Sequence, residues 1–462
     1  MSRLVVVSNR VPSADTLAPA QQGAVVVGGL VSAVKTLMLR QQGLWMGWSG
    51  RTTSRRKANP PTIELSGGPV ELVTIDLSSD EFNLYYLGFS NRTLWPLFHT
   101  FPERTDVRHD TYRSYQRVNQ RFAEALYPLL GSDDVVWVHD YQLILVGMYL
   151  RRLGWTGKIG FFLHIPFPSP DVLEILPWAT ELLDGMLDYD LVGFHIQRYR
   201  QNFIDSLLRE TKWQWNAPYF VAGGRSVKVA NFPIGIEPDV FRDAAMASTT
   251  SVSSELSLPT DVDHKIVVGV DRLDYSKGIP EKLRAFERML ERHVNMRGKV
   301  TLVQITQPSR SRVREYVEER EKVERLVGQI NGKYSEAGWV PVRYLYRTFS
   351  QKQLARFYHD SLVGMVTPLR DGMNLIAKEY IAAQGDDPGV LVLSKFSGAA
   401  VELTDATQVN PYDTDGTAEH LYDALRMPRD ERVWRWRSQM DAVTTNTAQN
   451  WGESFYRELI ST

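Results

Sequence analysis

Short apolar runs recur along the whole chain, and each is followed by a polar cluster and then by a helical pattern. Near-continuous apolar strands that alternate with helices are typical of a parallel sheet covered on both faces. The runs in the first half are Leu4–Val7, Val135–Val138, Ile159–Leu163, Leu191–Phe194 and Val227–Val229. Those in the second half are Lys265–Val270, Val300–Ile305, Val342–Leu345, Leu362–Val366 and Gly389–Leu393. Two such series predict an α/β protein with two doubly wound, Rossmann-like domains.

The boundary between the predicted domains follows the segment P-I-G-I at residues 233–236. Ser/Thr-rich Ala247–Ser254 and polar Thr260–His264 separate this segment from the strand that begins the second series. A chain of 462 residues is also longer than one typical core. We therefore predict one domain over residues 1–238 and a second over residues 239–445.

The last part of the chain is rich in aromatic residues at helical spacing. Residues 431–460 carry Trp434, Trp436, Trp451, Phe455 and Tyr456. Because large aromatic rings favour burial, we expect this segment to be helical and to pack its rings against the face of a domain.

Composition excludes several classes of function. The 53 Lys and Arg residues balance 54 Asp and Glu residues, so bulk charge would not recruit nucleic acid or an anionic membrane. The sequence has no cysteine, which excludes disulfides, thiolate catalysis and zinc–thiolate sites. Its apolar runs are too short to span a bilayer or to form the core of a signal peptide. We expect a cytoplasmic protein with no nucleic-acid or membrane partner. Composition does not indicate the oligomeric state, for which we expect a homo-oligomer, a dimer or a tetramer.

The segment Thr367–Tyr380 is the most informative stretch of the sequence. It lies between an apolar run and a helical pattern, which predicts a strand, a tight turn and a helix start. Asp371-Gly372 suits the turn and Asn374 suits the N-cap, and the backbone N–H groups of such a helix start suit a diphosphate. The carboxylates of Asp371 and Glu379 would suit the hydroxyls of a sugar or a ribose. The plainer interpretation is a capped helix after a strand, with a solvated aspartate.

Polar clusters follow the carboxyl ends of the predicted strands, where ligands bind in open parallel sheets. In the first half they are Ser8-Asn9-Arg10, His139-Asp140-Tyr141, His164-Ile165-Pro166 and His195. In the second half they are Asp271–Gly278, Arg310 and Arg370-Asp371-Gly372. Cations and carboxylates at the ends of separate strands predict a polar cleft between two facing domains.

Two pairs of cations suit phosphate groups. Arg272 and Lys277 share one predicted loop, and together offer a planar fork and a point charge to a diphosphate. Arg10 and Arg310 follow strands of different halves and would clamp a second anion. The pair of Arg272 and Lys277, taken alone, is also explained as two surface cations near a turn. The glycines at residues 28–29 would allow a close backbone approach, although they do not form G-x-G-x-x-G.

Metal binding is not predicted. The nine His residues lack H-x-x-x-H and H-x-H spacing, and the D-V-D at residues 261–263 precedes a strand instead of following one. Asp140 and His164 would suit sugar hydroxyls, although a histidine at a strand end is more often structural. Tyr86 and Trp95, taken alone, are interpreted as core aromatics. We predict no cofactor.

Most of these candidate residues belong to motifs that occur in order along nearly the full chain. The motifs are L-V-V-V-S-N-R (4–10), G-G-L (28–30), G-W-S-G (47–50), N-R-T-L-W-P-L-F-H (91–99), W-V-H-D-Y (137–141), F-F-L-H-I-P-F-P (161–168), P-I-G-I-E-P (233–238), D-R-L-D-Y-S-K-G (271–278), N-G-K-Y (331–334) and T-P-L-R-D-G-M-N-L-I-A-K-E-Y (367–380). With them the chain resembles the retaining glycosyltransferases of the trehalose-6-phosphate synthase group, in family 20. The resemblance implies a GT-B fold whose C-terminal helix, about residues 446–462, packs back on the first domain.

The resemblance also implies roles for the matching residues. On the donor side, Arg272 and Lys277 would bind the diphosphate, Gly29 the phosphates and Glu379 the ribose. His164 would contact the donor glucose near the reacting carbon. The donor glucose and diphosphate would also be bound by Asp371 and by the backbone of Gly372, Met373, Asn374 and Leu375. On the acceptor side the matching residues are Arg10, Tyr86, Trp95 and Arg310 for the acceptor phosphate, and Trp48 and Asp140 for the acceptor sugar.

The implied reaction transfers glucose, with retention of the α configuration, from a nucleotide diphosphate glucose to glucose 6-phosphate, giving α,α-trehalose 6-phosphate. UDP is the usual nucleotide of the family. In the front-face mechanism by which such enzymes are usually described, the leaving phosphate oxygen takes the proton of the incoming hydroxyl. Catalysis would then come from positioning and from stabilisation of the leaving group, for which Arg272, Lys277, His164 and Asp371 are the candidates.

Two departures from the common family pattern leave the acceptor open. Gln142 follows H-D-Y, where bacterial synthases often have His, and T-F-P-E-R stands at residues 100–104, where many members have an aromatic and then a basic residue. An enzyme that makes glucosylglycerol phosphate from glycerol 3-phosphate is therefore an alternative. A non-catalytic sugar-phosphate sensor would be expected to lose Arg272, Lys277 or Glu379, and all are present. A dinucleotide-dependent oxidoreductase fits the fold alone but lacks the G-x-G-x-x-G pattern.

Overall fold

The structure is a computed structural model, and it describes residues 3–12, 31, 34, 37–39, 43–54, 62–65, 70–222, 224–247, 251–259, 263–309 and 313–462. The chain forms two compact units. The N-terminal unit comprises Met1–Ile234 together with Ala448–Thr462, and the C-terminal unit comprises Gly235–Thr447. Each unit contains one sheet.

The sheet of the N-terminal unit is parallel except at its two edges. Its strands are β1 (Leu4–Arg10), β2 (Leu44–Thr53), β3 (Thr62–Leu65), β4 (Glu71–Ser78), β5 (Val135–His139), β6 (Ile159–Phe162), β7 (Leu191–Phe194), β8 (Gln214–Asn216), β9 (Tyr219–Ala222) and β10 (Arg225–Asn231). They lie in the order β3-β4-β2-β1-β5-β6-β7-β10-β9-β8. The antiparallel pairs are β3 with β4, β9 with β10 and β8 with β9. The strand order reverses between β1 and β5, which pair in parallel.

Helices connect these strands. They are α1 (Ser79–Glu81), α2 (Trp95–Phe98), α3 (His109–Leu126), α4 (Val146–Arg152), α5 (Pro170–Leu173), α6 (Ala179–Met186) and α7 (Gln197–Glu210). A π-helix, Phe82–Leu94, joins α1 to α2, and single 3₁₀ turns cover Pro102–Arg104, Tyr127–Leu129 and Tyr141–Leu143. π-helices are rare in proteins, and those that occur often lie at functional sites. Phe82–Leu94 is therefore a candidate position for functional side chains.

The sheet of the C-terminal unit is parallel throughout. Its strands are β11 (Lys265–Arg272), β12 (Val300–Gln307), β13 (Val342–Tyr346), β14 (Val363–Val366), β15 (Val390–Ser394) and β16 (Thr407–Val409). They lie in the order β13-β12-β11-β14-β15-β16, which is the order 3-2-1-4-5-6 within this unit. That is the doubly wound Rossmann order, and it reverses between β11 and β14.

The helices of the C-terminal unit are α8 (Pro238–Met246), α9 (Val252–Glu255), α10 (Ile279–Arg292), α11 (Arg314–Tyr334), α12 (Gln351–His359), α13 (Leu375–Ala382), α14 (Thr414–Arg426) and α15 (Arg429–Thr445). Single 3₁₀ turns cover Tyr275–Lys277, Val294–Met296 and Gly398–Val401. Helix α16 (Ala448–Ser461) follows and belongs to the N-terminal unit. In the described part of the chain, no helix combines the length and the apolar character that crossing a membrane requires.

Helix α10 shows why these elements pack as they do. Ile279, Leu283, Phe286 and Leu290 recur at helical spacing, and all are fully buried in the core of the C-terminal unit. Burying a side chain of this size contributes about 1.5–3 kcal/mol, so the apolar stripe fixes the face that α10 turns to the sheet. Its N-terminus is thereby held beside the end of β11.

The strands predicted from apolar runs are all confirmed, but β2, β3, β4, β8, β9 and β16 were not predicted. The sequence of β2, L-W-M-G-W-S-G-R-T-T, mixes glycine and polar residues and so lacks a continuous apolar run. Its Gly47 packs so closely on β1 that a Cβ there would lie 2.5 Å from the carbonyl oxygen of Ser8. This close approach explains a glycine within a buried strand.

The aromatic residues near the end of the chain divide into a buried and an exposed group. In the N-terminal unit, Phe455 of α16 stacks on Trp137 at 4.4 Å between ring centroids, and Trp451 lies 5.1 Å from Trp137. The expected burial is wrong for Trp434 on α15, whose side chain is 60% exposed. Trp434 stands among charged neighbours on a face that its helix leaves in solvent, so helical spacing alone overestimated the buried stripe.

Candidate functional site

The predicted cations of the C-terminal unit lie where its strand order reverses. Arg272 is the last residue of β11, and Lys277 ends the 3₁₀ turn that follows it. Asp371 comes after β14, the parallel neighbour of β11. Gly278 brings the two loops together: its φ is +64°, and a Cβ there would lie 2.8 Å from the carbonyl oxygen of Thr367. This edge is the ligand-binding position of a doubly wound sheet.

Lys277 and Asp371 form an ion pair at this edge. Lys277 Nζ lies 2.5 Å from Asp371 Oδ2, and both side chains are 13% exposed. Asp371 also accepts hydrogen bonds from the backbone N–H of Gly372 at 2.9 Å and from Asn374 Nδ2 at 3.0 Å. One carboxylate thus holds a cation and both sides of the turn in place.

Arg272 is placed by the loop that carries Lys277. Its Nη2 lies 3.6 Å from Asp274 Oδ2, and the side chain remains 42% exposed. The buried Asp274 carboxylate accepts from the backbone N–H of Ser276 at 3.0 Å and from the hydroxyl of Tyr316 at 2.9 Å. Sequence reasoning gave Tyr316 no role, because it lies on α11, far from Asp274 in the sequence. The hydrogen bonds to Asp274 therefore hold the loop in place, while the side chain of Arg272 remains partly exposed.

The turn before α13 differs from the sequence expectation in two respects. Asn374 is at the N-cap, but its side chain makes no capping hydrogen bond to the helix and bonds Asp371 instead. The left-handed residue of the turn is Asn374, with φ 72°, and not Gly372. Asparagine tolerates this region better than most residues do. Because the side chain of the N-cap residue makes no hydrogen bond to α13, the first N–H groups of the helix are suited to an external anion.

Glu379 lies one turn into α13, close to Tyr358 of α12. The Tyr358 hydroxyl donates to Glu379 Oε2 at 3.0 Å, and burial raises the pKa of Glu379 to about 7. The neighbouring Lys378 does not offset this burial, because it is directed to Glu402 at 2.7 Å. Sequence reasoning missed Tyr358, since no local pattern links α12 to α13. The side chain of Glu379 therefore changes charge near neutral pH.

The N-terminal unit has a second polar cluster at its own reversal of strand order. Arg10 ends β1 and lies over the ring of Trp48 on β2, 5.9 Å from its centroid. Gly50, with φ +90°, makes room for this guanidinium, because a Cβ would lie 2.7 Å from Arg10 Nη2. Tyr86, on the π-helix, lies 5.6 Å from Trp48. The exposed Arg10 thus stands against an aromatic wall.

The two tryptophans predicted here are more enclosed than Arg10. Trp48 is 6% exposed, and its indole N–H donates to the carbonyl oxygen of Arg51 at 2.7 Å. Trp95 begins α2, is 5% exposed, and lies 4.1 Å from His99 and 5.6 Å from Tyr141. Both residues therefore present ring faces more than polar atoms.

Asp140 and His164 are in contact at the ends of β5 and β6. Asp140 Oδ1 accepts from the backbone N–H of His164 at 3.2 Å. The His164 ring is half-buried, and burial, followed by the neighbouring His139 and His195, lowers its pKa well below the usual value. His164 is therefore neutral near pH 7.

Asp140 has a strained backbone, with φ 76° and ψ 167°, a region populated almost solely by glycine. Asp140→Gly and Asp140→Ala both remove the carboxylate, but only Gly relieves the strain. We expect the Gly variant to have the higher free energy of unfolding, by about 1–2 kcal/mol in urea titrations. Arg117, exposed on α3, provides the control, where Ala should be more stable than Gly by about 1 kcal/mol. A lower stability of Asp140→Gly than of Asp140→Ala would contradict the strain.

Two predicted site residues, Gly29 and Arg310, lie outside the described residues. Among the described residues, no group of three or more His, Asp and Glu side chains is arranged to hold a metal ion. The remaining predicted residues divide between the two units: Arg272, Lys277, Asp371, Gly372, Met373, Asn374, Leu375 and Glu379 lie in the C-terminal unit, and Arg10, Trp48, Tyr86, Trp95, Asp140 and His164 lie in the N-terminal unit.

Comparison with known proteins assigns the chain to a family. The model of the family described as Glycosyltransferase family 20 matches residues 2–461. The chain belongs to glycosyltransferase family 20. A trehalose-6-phosphate synthase from Enterobacter sp. (strain 638) is 42% identical to this family 20 member over 462 residues, covering 99% of this chain and 95% of that protein.

Two solved structures illustrate the likeness of this chain to proteins of known fold. An α,α-trehalose-phosphate synthase (UDP-forming) from Burkholderia xenovorans, in complex with glucose-6-phosphate, has a TM-score of 0.91 and 41% identity, covering 99% of this chain and 100% of that chain. A structure from E. coli bound with UDP-2-fluoro glucose has a TM-score of 0.90 and 40% identity, covering 99% of each chain. The predicted GT-B fold and glycosyltransferase class are confirmed, and the oxidoreductase alternative is excluded.

Proposed function

We propose that this family 20 glycosyltransferase transfers glucose, with retention, from UDP-glucose to glucose 6-phosphate and so forms α,α-trehalose 6-phosphate. The observation that carries the proposal is the meeting of Arg272, the Lys277–Asp371 pair and the start of α13 at one sheet edge. Two cations and a helix N-terminus suit a diphosphate. Two proteins that are similar to this chain support the choice of substrates, since one was solved with glucose-6-phosphate and another with UDP-2-fluoro glucose.

On the donor side, each group has a distinct task. Arg272 and Lys277 bind the diphosphate, with the backbone N–H groups of Gly372, Met373 and Leu375 beside them. Asp371 fixes Lys277 and the turn, through the contacts at 2.5 and 2.9 Å. Glu379 accepts the ribose hydroxyls. From the family pattern, Gly29 adds backbone contact to the phosphates.

On the acceptor side, the N-terminal unit supplies a cation with aromatic support. Arg10 binds the phosphate of glucose 6-phosphate, and the aromatic wall of Trp48 and Tyr86 limits the volume around it. Trp95 joins this pocket on the basis of the family pattern. Asp140 accepts a hydroxyl of the acceptor sugar. Arg310 joins the phosphate pocket on the basis of the family pattern.

The proposed step forms and breaks bonds on the same face of the donor glucose. The acceptor oxygen bonds to the anomeric carbon as the bond from that carbon to the diphosphate oxygen breaks, and the acceptor proton moves to the leaving phosphate oxygen. Arg272, Lys277 and the α13 dipole stabilise the charge that develops on the diphosphate. His164 contacts the donor glucose near the reacting carbon, so the chemistry depends on positioning more than on an added nucleophile.

The release of nucleotide diphosphate from purified protein tests this proposal. UDP-, ADP- and GDP-glucose are each incubated with glucose 6-phosphate or with glycerol 3-phosphate, without and with added divalent metal. We expect UDP release that requires glucose 6-phosphate. Release only with glycerol 3-phosphate would move the assignment to glucosylglycerol-phosphate synthesis, and no release with any pair would favour a sugar-phosphate sensor. The cytoplasmic location and the homo-oligomeric state stay predictions.

A pH dependence of donor binding follows from Glu379. Its pKa of about 7 leaves it half protonated near neutrality, whereas the ribose hydroxyls are donors that favour the carboxylate. Binding should therefore strengthen as pH rises, by about tenfold in the association constant for UDP-glucose between pH 6 and pH 8. Isothermal titration calorimetry measures this, and it should also detect proton release on binding at pH 7.

Glu379→Gln is the matched control. It keeps the shape of the side chain but cannot ionise, so its affinity should be weak and independent of pH over the same range. The sign for folding is opposite: the raised pKa of Glu379 means that its contribution to stability is lost as pH rises from about 4.5 through about 7. A wild-type affinity that does not change between pH 6 and pH 8 would contradict the role of Glu379.

A further inference from the structure

Three histidines stand at the ends of three neighbouring strands of the N-terminal unit. His139 ends β5, His164 follows β6 and His195 follows β7. His139 Nδ1 lies 3.1 Å from His164 Nε2, and His195 Nε2 lies 3.1 Å from the backbone carbonyl oxygen of His164. A carbonyl only accepts, so His195 Nε2 carries a proton. The contact between His139 and His164 also needs one proton, and either ring is able to supply it.

Both rings of this contact are neutral near pH 7. His139 is fully buried, and burial lowers its pKa to about 3. The pKa of His164 is also well below its usual value, because of burial first and then of the neighbouring imidazoles. A neutral imidazole has a single N–H, so the nitrogen that holds the shared proton determines the tautomer of both rings.

The surroundings of His139 Nε2 distinguish the two arrangements. Among the described residues, this buried nitrogen has no hydrogen-bond partner. The rings packed against the His139 ring include Trp137, at 4.6 Å between ring centroids, and Trp451, at 6.3 Å. An indole offers an N–H donor but no acceptor. If His164 donated to His139, the His139 proton would be left on Nε2 as a buried, unpaired donor, which is unfavourable.

We propose that His139 is a positioning residue, which donates its Nδ1 proton to His164 Nε2 and so holds His164 in the tautomer protonated on Nδ1. His139 Nε2 is then unprotonated, and burying an unpaired acceptor costs less free energy than burying an unpaired N–H donor. His164 consequently presents an N–H donor at Nδ1. The inference rests on the proposed function, in which His164 contacts the donor glucose, and it assigns to that contact a hydrogen bond from His164 to a sugar oxygen.

The backbone around His164 is held as firmly as its ring. Asp140 Oδ1 accepts the His164 backbone N–H at 3.2 Å, and His195 donates to the His164 carbonyl oxygen at 3.1 Å. With both backbone groups and Nε2 engaged, Nδ1 is the remaining polar atom of the half-buried ring. His139 therefore controls whether that atom is a donor or an acceptor.

Nitrogen NMR of the wild-type protein tests the tautomer directly. Protein labelled with ¹⁵N-histidine gives long-range ¹H–¹⁵N correlations that distinguish a protonated ring nitrogen from a bare one, and His164→Gln identifies the signals of His164. We expect Nδ1 of His164 to be protonated and Nε2 to be bare. A proton on Nε2 would overturn the proposal. This readout needs no substrate, so it is independent of whether the proposed transfer occurs.

Two substitutions then test the effect on the reaction. His139→Asn places an amide N–H close to the position of Nδ1, whereas His139→Leu removes the donor at a similar volume. We expect His139→Leu to lower kcat by about tenfold to a hundredfold with little change in KM for glucose 6-phosphate, and to leave a mixture of His164 tautomers. His139→Asn should remain within about fivefold of wild-type kcat. Wild-type kcat in a folded His139→Leu variant would show that the tautomer does not matter, and if both variants fail to fold, the wild-type spectrum decides.

Discussion

Lys277→Ala is expected to lower kcat by about a thousandfold while KM for glucose 6-phosphate changes little. The diphosphate gains charge only as it leaves, so the loss of this cation should affect the transition state more than the bound acceptor. Lys277 Nζ is held 2.5 Å from Asp371 Oδ2 in a side chain that is 13% exposed, where a charge is screened less than in water. Steady-state kinetics of UDP release measures both parameters.

A double variant separates leaving-group stabilisation from neutralisation of Asp371. Lys277→Ala removes the ammonium group beside the Asp371 carboxylate, and the negative charge of that carboxylate would itself repel a diphosphate. Lys277→Ala/Asp371→Asn removes the repulsion but does not restore the cation, so kcat should stay low. Recovery to near wild-type kcat in the double variant would contradict the role of Lys277. Lys333→Ala, on an exposed part of α11, is the control that should leave kcat unchanged.

Arg10→Ala is expected to raise KM for glucose 6-phosphate by about tenfold to a hundredfold, with kcat at saturating acceptor nearly unchanged. A charge-assisted hydrogen bond from a guanidinium to a phosphate contributes about 1.5–3 kcal/mol, and this phosphate takes no part in bond breaking. Arg10 is exposed and supported by the Trp48 ring, so its loss should leave the fold intact. Initial rates over a range of acceptor concentrations give the two parameters.

Two comparisons make the result for Arg10 specific. Arg51→Ala removes another cation from β2, one that is 65% exposed and paired with Asp76, and it should leave KM unchanged. Unphosphorylated glucose would be a poor acceptor, and its turnover should be the same in wild type and in Arg10→Ala, because glucose carries no phosphate for Arg10 to bind. An unchanged KM for glucose 6-phosphate in Arg10→Ala would contradict the assignment of Arg10 to the phosphate.

The sequence alone predicted those parts of the fold that repeat a simple pattern. Apolar runs located the central strands. The rule that ligands bind beyond the carboxyl ends of parallel strands predicted that Arg272, Lys277 and Asp371 lie at one edge of the sheet, where the structure shows the contact of Lys277 with Asp371. Both clusters lie at the reversal of strand order. That reversal depends on pairings between distant strands, such as β11 with β14, which no local pattern specifies.

Contacts between distant side chains were less predictable. The bond from Tyr358 to Glu379 joins two helices, and the contact of His139 with His164 joins two strands, so neither leaves a local pattern in the sequence. Asn374 was correctly placed at the start of α13, but its left-handed backbone directs the side chain to Asp371 instead of to the helix. Propensity indicates which residue suits a position, and tertiary contacts decide which bond it makes.

The measurement that tests the central claim most directly is ¹H NMR of the product formed from UDP-glucose and glucose 6-phosphate. The account predicts a non-reducing disaccharide phosphate in which both anomeric protons have the small coupling constant of the α configuration, together with one UDP for each disaccharide. A β-linked or reducing disaccharide, or UDP released with free glucose and no disaccharide, would contradict retaining transfer to the anomeric hydroxyl of glucose 6-phosphate.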